Sequence, residues 1–305
     1  MRVAPWLLYQ SAARCLARLL AQGARFDAID AHYFYPDGVA ATWLGRRFGL
    51  PVVITARGSD VTQFPDYAAP RRMILRAASQ AAAVITVSAG LRDALAALGA
   101  DANRITVLRN GVDLELFRPV TQSEARAAFG VTGRVLVSVG ALIPRKGHER
   151  TIGALALLPG WTLLIAGEGP ERARLKALAD NLGLSGRVRL LGSLPHAELP
   201  SLYSAADLSV LASSREGWAN VLLESMACGT AVVASPIPGN TDVVSAQEAG
   251  FVTIENTADA IAASVRDWER APIPRPATRA YAERFGWDET SEGQIRLYRA
   301  LIPAT

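Results

Sequence analysis

Short apolar runs rich in Val, Ile and Leu alternate with longer amphipathic segments along nearly the whole chain, and few folds accommodate that alternation. A strand, a helix and a second strand running the same way make a βαβ unit, and a series of such units makes a parallel sheet with helices on its faces. The runs fall into two groups. In the first, the pattern predicts strands near Asp27–His32, Val52–Ala56, Val84–Ser88 and Arg104–Leu108, with helices near Gly38–Phe48, Arg71–Ser79 and Leu91–Leu98. In the second it predicts strands near Val135–Gly140, Thr162–Gly167, Val188–Gly192, Leu208–Ser213, Ala231–Ser235 and Phe251–Ile254, with a helix between each pair. The expected organisation is therefore α/β: a small parallel-sheet domain over residues 1–125, a complete doubly wound domain over 126–285, and a helix over 286–305 that packs across both. Asn110–Gly130, with an Asn-Gly turn signal and Pro119, reads as the linker. Open α/β sheets bind ligands beyond the carboxyl ends of their strands, so two such sheets predict an interdomain cleft.

Composition narrows the class. The 305 residues, half of them hydrophobic and one in five charged, suffice for two cores, because single cores stop growing near that length. No apolar run approaches the roughly 18 residues that a membrane span needs. The opening MRVAPWLLYQSAARCLARLL is interrupted by Arg14 and Arg18 and reads as an amphipathic helix rather than a signal peptide. Cys15 and Cys228 are too few for a disulfide framework; they read as small buried apolar residues of a chain in a reducing, cytoplasmic setting. Residues 1–130 carry 15 Arg, no Lys and 10 acids, against 17 bases and 18 acids in the remainder. The basic first half would attract an anionic membrane face, which allows peripheral contact with the inner membrane; no motif for nucleic acid accompanies it.

The chemistry concentrates in SSREGWANVLLESMACGTAVVAS, Ser213–Ser235. This reads as a strand end, a turn, a helix and another buried strand. Glu216 and Glu224 would stand about 12 Å apart along the axis if both lay on one helix, but Gly217 puts Glu216 in the turn and leaves Glu224 on the helix that opens near Ala219. A helix start offers unbonded amides and a dipole that favours anions, so a diphosphate fits there. The carboxylates would repel phosphate and instead accept hydrogen bonds from hydroxyls, one from a sugar and one from a ribose. In the first group of strands, HYFYPDG at His32–Gly38 and TARGSD at Thr55–Asp60 follow strand ends. Asp37 and Ser88 are expected helix N-caps, and His196 and Glu198 are expected to cap the helix they open.

EGWANVLLESMACGTAVVAS resembles the Glu-x7-Glu motif of retaining glycosyltransferases of the GT-B fold, glycosyltransferase family 4. VSVGALIPRKGHERTI and LRNGVDLELFRP resemble the phosphate-binding loop of that family and its approach to the second domain, and the likeness extends over about residues 25–301. The resemblance implies two facing Rossmann-like domains, the first incomplete, since the family's opening strand and glycine-rich loop have no counterpart in Met1–Arg25. An incomplete sheet leaves edges that favour a homo-oligomer. It implies transfer of a hexose-type sugar from a nucleoside-diphosphate sugar to a glycan or lipid-linked acceptor with retention, needing no cofactor and no metal. By the same match Glu216 contacts the donor sugar and Glu224 the donor ribose, with Gly217, Trp218, Ala219, Asn220 and Val221 around them. Arg145 and Lys146 pair with the donor phosphates, and Ser193 and Leu194 line the nucleobase pocket. Arg57 stands where relatives carry a histidine and would act on the departing diphosphate or on an acidic acceptor. His32, Tyr35 and Asp60 fall on the acceptor side.

Ala141 departs from the family at a position where relatives carry arginine, and Asn240 and Asp242 replace its usual glycine and glutamate. Three other classes compete, of which a sugar-nucleotide epimerase of the same two-domain architecture lacks the Glu-x7-Glu arrangement. Gly167-Glu168-Gly169 suggests a dinucleotide fingerprint, but Arg172 occupies the third glycine position that close helix–strand packing requires. A non-catalytic nucleotide-sugar-binding module follows if the incomplete first domain cannot assemble a transfer site.

Overall fold

The computed structural model describes residues 3–302. The chain forms two compact units, Met1–Asn110 with Asp288–Thr305, and Gly111–Trp287.

The first unit holds β1 (Ile29–His32), β2 (Val52–Ala56), β3 (Ala83–Thr86) and β4 (Ile105–Val107), all parallel and side by side in chain order. Every residue of β2 is buried, as expected where helices cover both faces of a parallel sheet. Ser88 caps the helix Ala89–Ala97, its Oγ accepting from the Leu91 amide at 3.2 Å. Asp37 does not cap. It lies inside a wide helical turn, Phe34–Gly38, that bends the chain away from β1, and the following helix Val39–Phe48 starts after Gly38 without a side-chain cap. The first helix, Ala4–Ala21, buries only Pro5 and Ala13, so Cys15 is exposed, contrary to the sequence expectation, while Cys228 is buried. The last helix, Asp288–Leu301, belongs to this unit: the Thr290 hydroxyl donates to the Arg109 carbonyl, and Gly293 lies against Leu108. No helix among the described residues is long and apolar enough to cross a membrane.

The second unit holds β5 (Arg134–Val139), β6 (Trp161–Ala166), β7 (Val188–Gly192), β8 (Leu208–Leu211), β9 (Val232–Ala234) and β10 (Gly250–Val252), all parallel in the order β10-β9-β8-β5-β6-β7. The order reverses between β5 and β8, so the loops leaving those two strands diverge to opposite sides of the sheet and open a crevice at its carboxyl edge. The core beneath is apolar: Leu136, Leu163, Ile165 and Leu208 from the strands meet Ile152, Leu155 and Val265 from the helices, all at most 1 % exposed. The helix Gln122–Phe129 belongs here as well, since Arg126 reaches both oxygens of Asp207 at 2.9 and 2.8 Å and Asp207 accepts the Val135 amide at the start of β5.

Candidate functional site

The crevice at the switch point of the second sheet is built from backbone packed on backbone. Gly147, with φ 68°, ends the loop after β5, and a Cβ there would stand 2.1 Å from the Ala212 carbonyl oxygen beyond β8. Gly239 is similarly placed 2.3 Å from the Glu216 carbonyl oxygen. Glycine at these two positions lets three loops close on one another and brings the side chains of residues 145, 146 and 216 together.

Glu216 is the hub of the cluster. Its Oε1 accepts from Lys146 Nζ and from Ser213 Oγ, both at 2.7 Å, and its Oε2 accepts from Arg145 at 3.3 Å. The carboxylate is 10 % exposed and the lysine 13 %, whereas Arg145 is 38 % exposed and also donates to the Arg215 carbonyl at 2.9 Å. Ser213 is in turn fixed from below: its carbonyl accepts from Ser235 Oγ at 2.6 Å, and the buried Asn240 amide donates to Ser235 Oγ at 2.9 Å. Asn240 thus joins the support of Glu216, a role that sequence reading did not assign to it.

Glu216 lies in the loop and Glu224 on the helix Asn220–Ala227, as the Gly217 turn predicts. That helix has no side-chain cap at Ala219. Gly217, Trp218 and Ala219 are buried, Val221 is half-buried and Asn220 is exposed. The indole nitrogen of Trp218 is buried without a partner, with its ring against Phe285. Glu224 accepts from the Tyr203 hydroxyl at 3.0 Å, and His196 Nε2 stands 3.9 Å from its other oxygen. Burial pushes the Glu224 carboxyl above its ordinary range, opposed by the Tyr203 hydrogen bond, by His196 and by Lys146. Lys146 therefore acts on both glutamates. His196 and Glu198 cap no helix; neither side chain bonds to the first turn, and the His196 ring instead meets Phe117 edge-on at 5.0 Å. Ser193 and Leu194 follow β7, one exposed and one half-buried.

Behind the β5 loop sits His148, 1 % exposed, with Ser138 Oγ 3.0 Å from its Nδ1 and no hydrogen-bond partner for its Nε2. Burial pushes its pKa below the ordinary value.

The other sequence candidates form a separate cluster at the carboxyl edge of the first unit's sheet. Asp60 is fully buried, and its carboxylate accepts backbone amides from Phe34 at 2.9 Å, Gly58 at 2.7 Å and Arg57 at 3.1 Å, which ties the exits of β1 and β2 together. Tyr35 is buried, with its ring on Phe64. His32 and Arg57 are the accessible members. The guanidinium donates to His32 Nδ1, with NH2 at 2.7 Å, and to Asn110 Oδ1 at 2.9 Å, and the far nitrogen of His32 lies 3.3 Å from Asp30. The Arg57 guanidinium is thus held by a ring nitrogen and an amide oxygen.

Residues 121–285 match the family Glycosyl transferases group 1, and residues 2–116 match Glycosyltransferase Family 4. Among curated proteins, the D-inositol 3-phosphate glycosyltransferases of Mycobacterium bovis and Mycobacterium tuberculosis are 32 % identical over 308 residues, covering 91 % of this chain. The chain spans 62 % of the length of those relatives. Among solved structures, sucrose-phosphate synthase from Thermosynechococcus elongatus superposes with a TM-score of 0.82 at 25 % identity, over 96 % of this chain and 79 % of that one. Anabaena HepE, crystallised with UDP, gives a TM-score of 0.82 at 24 % identity over 97 % of this chain and 82 % of that one. Both are likenesses of an α/β architecture with two parallel-sheet domains.

Proposed function

Since this chain belongs to the glycosyl transferases group 1, we propose that it moves a hexose-type sugar from a nucleoside-diphosphate sugar to a hydroxyl acceptor, with retention at the anomeric carbon. The observation that carries this reading is Glu216 paired with Lys146 and Arg145 at the switch point of the second sheet. In this structure both cations pair with the Glu216 carboxylate. A diphosphate at that place would take over both cations through charge-assisted hydrogen bonds and release Glu216 to accept from the hydroxyls of the attached sugar. Glu224 would then accept from the ribose. One movement of charge thus couples phosphate binding to sugar recognition.

In the transfer itself the bond from the anomeric carbon to the terminal phosphate oxygen breaks, its electron pair staying on phosphate. Lys146 and Arg145 stabilise the charge that develops there. The acceptor oxygen bonds to the anomeric carbon from the same face, and its proton passes to the departing phosphate oxygen. The mycobacterial relatives are named for D-inositol 3-phosphate, a phosphorylated polyol. A guanidinium held by His32 and Asn110, with no carboxylate partner among the described residues, favours the same kind of acceptor here: Arg57 would bind its anionic group, with His32 beside it.

The test is thermal melting with UDP, GDP and ADP, each with and without an attached sugar, on the wild-type chain and on Glu224→Ala. A ligand that binds only the folded state at a hundred times its Kd adds about 2.7 kcal/mol. The expected result is a rise selective for one base and lost in Glu224→Ala, with nucleoside diphosphate released once an acceptor is added. No rise with any nucleotide overturns the donor site, and a rise without release on any acceptor favours a binding module.

A further inference from the structure

Glu224 is not a bare carboxylate on a helix. It is held by a side chain 21 residues away whose hydroxyl has no other hydrogen-bond partner in the described structure: Tyr203 donates to its Oε2 at 3.0 Å. Tyr203 is fully buried on the helix Leu199–Ala205, its carbonyl accepts from the Thr230 hydroxyl at 2.7 Å, and its ring packs on that of the buried Phe117. The phenol therefore cannot swing away, and the glutamate it binds loses the torsional freedom that a helix glutamate ordinarily keeps. The other oxygen, Oε1, faces His196, whose Nε2 stands 3.9 Å away. One oxygen is committed and the other is presented in a fixed position.

We propose that Tyr203 is a positioning residue that orients Glu224, so that Oε1 is the acceptor for a ligand's ribose hydroxyl, and that this contact sets a preference for ribonucleotides over deoxyribonucleotides. The inference rests on the reading of Glu224 as the ribose acceptor of the donor site. A fixed carboxylate discriminates more sharply than a mobile one, because the ordering that a hydrogen bond demands is already in place before the ligand arrives. The hydrogen bond from Tyr203 also favours the ionised carboxylate, the stronger acceptor, against the burial that disfavours it.

The experiment is calorimetric titration of the full chain with the preferred nucleoside diphosphate and with its 2′-deoxy and 3′-deoxy forms, for wild type, Tyr203→Phe and Tyr203→Met. Wild type should prefer the ribonucleotide by about tenfold or more over at least one deoxy form, as a hydrogen bond to a charged group implies. Tyr203→Phe keeps the ring and removes the donor; it should bind the deoxy form as wild type does and reduce the preference to about threefold or less. If Tyr203→Phe does not fold, Tyr203→Met, which fills the space with a flexible apolar chain, is read by the same ratio. A wild-type preference that survives in the folded variant overturns the positioning role, since loss of packing alone would lower the melting temperature and leave the ratio unchanged. Equal binding of ribo and deoxy forms by wild type overturns the ribose role of Glu224. No binding of any nucleotide by wild type overturns the donor site itself.

Discussion

At the scale of single residues, the proposed mechanism asks two incompatible things of the Glu216 carboxylate, and the conflict can be measured. The carboxylate pairs with Lys146 and Arg145, and by the proposed mechanism it must give both up to a diphosphate before it can accept from a sugar. Glu216→Gln removes the competing charge but keeps the shape. The bare nucleoside diphosphate should then bind at least as tightly as to wild type, while transfer falls by a factor of about 10² to 10³, the usual cost of removing one polar group aimed at the reacting centre. Titration calorimetry and release of nucleoside diphosphate separate the two effects. Weaker binding of the bare nucleotide by Glu216→Gln would show that the carboxylate organises the cations rather than competing for them. The two glutamates were legible in the sequence because their spacing around Gly217 is a local property. Their partners were not: Tyr203 lies 21 residues from Glu224, and Asn240 reaches Glu216 only through Ser235 and Ser213. Such contacts are set by the stacking of neighbouring strands, which periodicity does not encode.

At the scale of elements, the same division holds. All ten strands fall on the apolar runs expected for them, because buried parallel strands need continuous apolar residues and the helices between them need an amphipathic period. Caps were harder to read. Ser88 caps its helix, but Asp37 sits in the wide turn after β1 and His196 turns to Phe117 and Glu224, since a polar residue near a helix start has tertiary as well as local partners. The loop between β5 and the helix His148–Ala156 carries the Lys146 cation, and the chain pins the far end of that loop with a buried histidine. Burial lowers the pKa of His148 from its ordinary 6.5. A base whose folded pKa is depressed contributes stability that is complete above its unfolded value and is lost as pH falls through that value toward the folded one. The melting temperature of wild type should therefore drop between about pH 7 and pH 5 more steeply than that of His148→Leu. Parallel curves for the two proteins would mean that His148 takes up its proton without cost to the fold.

At the scale of the whole molecule, chain order and structural membership diverge. The last helix follows the second unit in sequence, yet it is packed into the first, where Gly293 meets Leu108 closely enough that a Cβ would stand 2.5 Å from a leucine methyl, and where burial and the neighbouring Asp30 push the Tyr298 hydroxyl above its ordinary range. The first unit is thus assembled from both ends of the chain, and the second, with every proposed donor-site residue, lies between them. Two separate cores imply two unfolding transitions in calorimetry, and a nucleoside diphosphate should raise only the one belonging to residues 111–287. A chain ended at Trp287 removes nothing from that unit. Its nucleotide-responsive transition should stay where it is, while the other falls by about 3 °C or more, since losing one packed helix costs on the order of a kilocalorie per mole and a unit of this size shifts by roughly 3–5 °C for each. A loss that falls instead on the nucleotide-responsive transition would place the stabilising contacts of the last helix on the second unit, and would make donor binding depend on the far end of the chain.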